Sequence, residues 1–362
     1  MIPASQYHNI YILLVSVMTI SLYQRYNIRK GHLQYSDSKS ANTVILVIFF
    51  LFFIGLRPIS GRYFVDMANY VESYHAFYEG VPFSFEWYFG NVLFDNFFAL
   101  SGSLCLGTKF IFTVVAAVYF GTSYLGIKKM FPHDTLAVYL VFLAAFSTFS
   151  YATNGIKAGA AASFFIFGIA YREKLSVSIP LILLSIGIHH AMILPVGAFF
   201  LSLVIKNPKV YFVAWCLCFV FAAAHITLFQ TILGYLTSDT LDDGHGAGYL
   251  MDTTSDWGGK SGFRLDFVLY SAMPVLVGYW AVFKKKMQLS KMYKCLLNVY
   301  LCTNGIWILC MYAAFTNRIA YLSWFLYPIV LVYPFLNENW GNSRYKTFSN
   351  VMLAHLFFTL SI

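Results

Sequence analysis

Residues 108–127, TKFIFTVVAAVYFGTSYLGI, form a run of twenty with one charge, Lys109, and they are closed by Lys128 and Lys129. An α-helix of that length rises about 30 Å, the thickness of a bilayer's hydrocarbon layer. Lysines at one end mark the side that stays cytoplasmic. The stretch reads as a membrane-spanning helix, and the rest of the chain repeats it.

Outward from it, apolar runs recur near 7–23, 41–56, 135–153, 155–171, 176–188, 191–205, 210–236, 266–283, 292–314, 318–336 and 347–362. A chain that is 59% hydrophobic and 11% charged, with mean hydropathy +0.66, has more apolar surface than a water-soluble core can hide. The expected fold is an all-α polytopic membrane protein with 11–12 transmembrane helices, one membrane domain over residues 1–362. The count turns on 176–188 and 191–205, two short halves around His189 and His190.

Charge sets the orientation. The loops with Arg25, Arg29, Lys30 and Lys39; Lys128 and Lys129; Arg172 and Lys174; Lys206 and Lys209; Lys284 to Lys286, Lys291 and Lys294; and Arg344 and Lys346 alternate with the others. That side holds 17 of the 24 Lys and Arg and 4 of the 15 Asp and Glu, a net +13 against −4 opposite. It is expected to be cytoplasmic, with both termini outside. The overall +9 is thus a membrane signature and gives no reason to invoke nucleic acid. The six cysteines, mostly within apolar runs, lack CxxC spacing and read as small core residues.

Seven cations remain on the outer side: Arg57, Arg62, Lys109, Lys157, Lys260, Arg264 and Arg318. Positive charge left there points to an outward-facing site for a large anion. Two outer stretches are long. Residues 57–107 include FEWYFGNVLFDNFFAL (85–100), too apolar for a free loop, and parity keeps it from crossing, so a re-entrant or interfacial helix is expected. Residues 236–266 are rich in Gly, Asp, Ser and Thr and read as a solvated loop without calcium-loop spacing.

Four clusters could carry chemistry. In GLRPISGRYFVDMANYVESY (55–74), Arg57 and Arg62 bracket a Pro-Gly turn, and Asp66 precedes Tyr70 by one helical turn. Guanidinium forks match phosphate oxygens, although both arginines would also serve as headgroup anchors. In FSYATNGIKAGAAASFFIFGIAY (149–171), Lys157 opens a span of small residues suited to close helix packing. In LLSIGIHHAMILPVG (183–197), His189 and His190 need hydrogen bonds or a wet cavity. Helical geometry would turn only one of them towards a given site. The fourth joins Arg264 and Asp266 to Asn317 and Arg318, each at the mouth of a span. No further His or Cys stands at metal-ligand spacing, so neither a metal nor another cofactor is expected.

Taken together, Arg57, Gly61, Asp66 and Tyr70, the NGI at 154–156 with Lys157 and Gly159, the buried histidines, the Arg264-Asp266 pair and the late Arg318 resemble the EpsG group of Wzy-type polysaccharide polymerases, from about residue 45 to 335. Two departures stand out. Lys157-Ala158 replaces the usual Arg-Gln, and Gly61 lies five residues before Asp66 where two is usual.

The resemblance implies a GT-C-like, metal-independent membrane glycosyltransferase of the bacterial inner membrane, with its active site facing the periplasm or cell exterior. Its partners would be undecaprenyl-diphosphate-linked oligosaccharides, as growing donor and as acceptor, together with membrane lipid and a chain-length regulator protein. The product would be O-antigen of lipopolysaccharide, capsule or exopolysaccharide. Cations aimed at the departing diphosphate would stabilise the transition state, and Arg57, Arg62, Lys157, Arg264 and Arg318 fit that role. His189, His190 or Asp66 would take the acceptor's proton. Tyr63, Tyr70 and Tyr74, with Tyr78, Trp87 and Tyr88, offer flat faces for sugar rings or an interfacial belt.

Rival readings are an O-antigen ligase, which shares this chemistry, a lipid-linked oligosaccharide flippase and a membrane-bound O-acyltransferase. A flippase should line its path with charge on both faces, and the asymmetry offers no inner counterpart. An acyltransferase has no need of so many outer cations.

Overall fold

The computed structural model describes residues 2–28, 40–87, 90–237, 262–313 and 316–361. Lys260, Tyr88 and most of the expected outer loop lie outside them. The protein is an all-α polytopic membrane protein. Among the described residues, three helices, Thr108–Met130, Leu265–Lys284 and Thr316–Asn337, are long and apolar enough to cross a membrane, as is the pair Thr135–Ala144 and Phe146–Thr153, bent by 74°. Five shorter apolar helices accompany them.

The chain divides into two compact units, one of Met1–Met192 with Gly341–Ser361 and the other of Ile193–Trp340. The first contains α1 (Tyr7–Ile28), α2 (Ser40–Gly55), α3 (Val65–Ser73), α4 (Val92–Ser103), α5 (Thr108–Met130), α6 (Thr135–Ala144), α7 (Phe146–Thr153), α8 (Ile156–Ile169) and α9 (Leu175–Ile188). The second contains α10 (Ile193–Val204), α11 (Pro208–Ala223), α12 (Leu228–Thr237), α13 (Leu265–Tyr279), α14 (Lys291–Leu309), α15 (Thr316–Trp324) and α16 (Tyr327–Asn337). A final helix, α17 (Arg344–Ser361), returns to the first unit.

In the first unit α5 packs on α2 and α8, and α8 on α9. Among the small residues expected to allow close packing, Gly159 does so against α7, where an added Cβ would come within 2.8 Å of the Tyr151 carbonyl oxygen, and on α5 Gly126 lets Ile166 of α8 approach to the same distance. Helix α1 packs on α6 and α17. Its Tyr11 hydroxyl donates to the Leu143 carbonyl at 2.6 Å, one of the carbonyls freed where the chain bends after Ala144.

Among the described residues of the segment 57–107 are two helices, α3 and α4, with a π-helical turn over Tyr74–Tyr78 after α3. Helix α4, cut from the apolar stretch at 85–100, packs on α9 and on the π turn. Gly187 permits this approach, since Leu93 stands 2.9 Å from where its Cβ would lie.

In the second unit α14 packs on α10 and α11, while α13 packs on α16. Buried indoles make this core specific, because each N–H needs an acceptor. Trp324 donates to Ser271 Oγ (2.6 Å) and Trp307 to Thr316 Oγ1 (3.0 Å), and the half-buried Trp215 donates to Asn304 Oδ1 (2.9 Å).

Candidate functional site

Helix α9 ends at Ile188, and His189 follows it in an extended conformation (φ −149°, ψ 114°). A 3-10 turn over His190–Met192 comes next. The chain at the histidines is therefore not a continuous α-helix, and the 100° separation expected between neighbouring side chains does not apply. Both rings reach one amide. His189 Nδ1 lies 3.0 Å and His190 Nδ1 3.1 Å from Asn91 Oδ1, and the His190 backbone N–H donates to the same oxygen at 3.3 Å.

That backbone contact assigns the amide. An N–H can only donate, so the Asn91 atom facing it is the carbonyl oxygen, and both Nδ1 atoms must then carry their protons. The lone pair of each neutral imidazole is left on Nε2. Asn91 is fully buried, and among the described residues its Nδ2 has no hydrogen-bond partner. A buried donor of that kind is unfavourable unless something else satisfies it.

One turn along α4, Asp95 accepts from Lys157 Nζ at 3.1 Å, with both side chains half-buried. The other Asp95 oxygen accepts from the Asn91 backbone N–H at 3.3 Å. Asn91 and Asp95 thus tie the histidine end of α9 and the lysine end of α8 to the start of one helix. Lys157 Nζ also lies 5.4 Å from the Phe94 ring centroid and 5.8 Å from that of Tyr70.

Lys157 stands in the first turn of α8, whose N-terminus has no side-chain cap. The positive end of a helix dipole and an ammonium ordinarily repel, so their coincidence makes the spot attractive to an anion. Asp95 and the two ring faces supply part of that compensation.

Arg57 lies just beyond α2 and is 2% exposed. Its NH1 donates to the Ile54 carbonyl (2.8 Å) and its NH2 to the Thr153 carbonyl (2.7 Å), at the C-terminal ends of α2 and α7. The rings of Phe64 and Phe112 flank it at 5.5 and 5.2 Å. Burial lowers its pKa to about 9, which leaves it charged at neutral pH. A cation at two helix C-termini complements both dipoles. It also fixes the end of α7, four residues before Lys157.

This arrangement yields an expected result. Charged hydrogen bonds contribute about 1.5–3 kcal/mol each. One ammonium cannot reproduce a fork that spans two carbonyls. Arg57→Lys should lower the thermal midpoint of the purified protein, and Arg57→Met should lower it further. A normal midpoint in Arg57→Lys together with loss of the protein's activity would assign Arg57 to ligand binding instead.

The remaining predicted residues differ in burial and in partners. Arg62 and Tyr63 are exposed, with the guanidinium 5.5 Å from the Tyr63 ring. Asp66 is half-buried in the first turn of α3. Tyr70, one turn later, meets Phe94 and Phe98 and so borders the Lys157 cluster. Tyr74 is fully buried, its hydroxyl accepting from the Gly107 N–H at 3.1 Å and donating to the Ser101 carbonyl at 3.4 Å. In the second unit, Arg264 makes a two-point contact with Asp266 (2.9 and 2.5 Å), its guanidinium 3.7 Å above the Phe267 ring. Arg318 is exposed on α15. Among the described residues, no group of three His, Cys, Asp or Glu is arranged to hold a metal ion.

Asn91 and Asp95 were missed by the sequence reading. The signal for them was their presence as the polar interruptions of NVLFD within an otherwise apolar run. In comparisons with known proteins, the model of the EpsG family matches residues 42–362. No curated protein and no solved structure matches the chain.

Proposed function

The chain belongs to the EpsG family, and on that footing we propose that it polymerises lipid-linked oligosaccharide repeat units at the outer face of the bacterial inner membrane. The observation that carries this reading is the cluster on the first turn of α4. Two imidazoles are held by Nδ1 on Asn91, and a cation at an uncapped helix N-terminus is held by Asp95 four residues on.

The proposed reaction needs both halves. A hydroxyl oxygen of the acceptor repeat unit attacks the anomeric carbon of the donor glycan, the bond from that carbon to the diphosphate oxygen breaks, and undecaprenyl diphosphate leaves. An imidazole Nε2 takes the hydroxyl proton as the new bond forms. Lys157 and the α8 N-terminus stabilise the charge that accumulates on the departing diphosphate. Asn91 Nδ2 is a donor for a sugar oxygen, and Tyr70 lends a ring face beside it. Arg62, Arg264 and Arg318 remain proposed contacts for lipid-borne diphosphate, and Asp66 is the alternative base. Arg57 holds the end of α7 that leads into the Lys157 turn.

Purified protein supplied with one lipid-linked repeat unit should produce a ladder of longer glycans on the same lipid. Folded protein that yields no product beyond one unit would overturn the proposal. Transfer only to a different acceptor would identify a ligase.

A further inference from the structure

The end of the second unit away from Arg264 contains a cavity of about 560 Å³, lined by Lys206, Lys209, Lys286 and Lys294 over an apolar floor that includes Phe283 and Leu289. We propose that this cavity binds a phosphate-bearing anionic ligand, of the kind presented by an acidic phospholipid headgroup. This does not rest on the polymerase reading. The helical stretch Leu265–Lys284 separates the cavity from Arg264 by 20 residues, about 30 Å of helix.

Three observations favour an anion there. The four lysines come from three separate places: the link between α10 and α11 with the first turn of α11, the chain after Lys284, and the first turn of α14. No acidic residue lines the cavity, and among the described residues none of the four lysines makes an ion pair. The neighbouring Glu338 is already engaged, accepting from the Ser290 backbone N–H and hydroxyl. Lysines kept on the cytoplasmic side only for orientation need to lie in loops. They need not converge on one cavity, where their mutual repulsion is relieved by a bound anion.

The apolar floor and the flanking helices favour a lipid as the source. Phe212 of α11 packs against Tyr279 and Phe283 at 6.3 and 5.4 Å, which joins the two helices that border the cavity. Their outward faces continue from it as exposed apolar surface: Val213 and Leu217 on α11, and Leu276 and Trp280 on the stretch Leu265–Lys284. A headgroup in the cavity would lay its acyl chains along that surface, as expected of basic pockets at the membrane boundary.

The test uses the detergent-purified full chain, with native mass spectrometry reading the binding of phosphatidylglycerol, phosphatidylcholine and inorganic diphosphate. Phosphatidylglycerol should bind more tightly than phosphatidylcholine, and each lining lysine changed to glutamine should weaken it about fivefold. The Lys206→Gln, Lys209→Gln double variant is measured beside a variant with all four lining lysines changed to glutamine, in case the latter fails to fold. Lys284→Gln and Lys291→Gln, neighbours that do not line the cavity, should leave binding unchanged. Diphosphate binding that depends on the lining lysines, without a phosphatidylglycerol preference, would keep the site and assign it a soluble ligand. Equal losses in the lining and non-lining variants, or no binding preference for either anion over phosphatidylcholine, would overturn the proposal.

Discussion

Replacing Lys157 by glutamine is expected to reduce polymerisation about 10²- to 10³-fold, so that cells carrying the variant display glycan of one repeat unit. Loss of one preorganised group that stabilises developing charge costs about 3–4 kcal/mol of transition-state stabilisation. Lys157 combines such a charge with the uncapped N-terminus of α8. Lys157→Arg should retain long chains, because arginine keeps the charge and is the residue usual at this position in the polymerases the chain resembles.

The competing account is that Lys157 only fastens α4 to α8 through Asp95. Asp95→Asn separates the two. It removes the ion pair and leaves the cation, so polymerisation should persist while the thermal midpoint falls. If Asp95→Asn and Lys157→Gln lose polymer and abundance in step, as read by chain-length gels and immunoblots of membranes, the pair is a strut and the diphosphate role is lost.

How much of this was legible in the sequence depended on the length scale of the signal. Spans such as 108–127 could be read because a run of about twenty apolar residues matches the thickness of a bilayer and exceeds most core helices, and the observed helix Thr108–Met130 contains it. The small residues of α8 announced close packing, and Gly159 shows it against Tyr151 of α7. The histidines were visible as polar residues in an apolar run, but their convergence was not, because it depends on a helix stopping at Ile188, and the single Gly187 before the break is a residue that a continuing helix also tolerates. Asn91 was hidden for a related reason. Periodicity locates the apolar face of α4, yet it does not say that the residue preceding the helix turns fully inward. For Arg57 the sequence offered a fork and an expectation of phosphate. Two carbonyls brought together from residues 54 and 153 are a tertiary fact that no local pattern carries.

Asn91 also supplies the sharpest test of the base. If its oxygen fixes both imidazoles with the proton on Nδ1, then Asn91→Ala should lower the rate of polymerisation about 10- to 100-fold, the usual cost of losing a group that orients a working histidine. Asn91→Asp should keep more activity, because a carboxylate accepts the same Nδ1–H bonds and preserves the tautomer. Of His189→Ala and His190→Ala, one should abolish polymerisation at normal abundance, and the other should act mainly through stability. His189 is the expected base, since it stands at the end of α9 where the chain leaves the helix. Rates measured on purified variants with a lipid-linked repeat unit decide between these outcomes. Equal loss in Asn91→Ala and Asn91→Asp would mean that the amide's Nδ2, and not its oxygen, is what the reaction uses. Full activity in both alanine variants of the histidines would transfer the proton to Asp66, one turn from Tyr70 on α3.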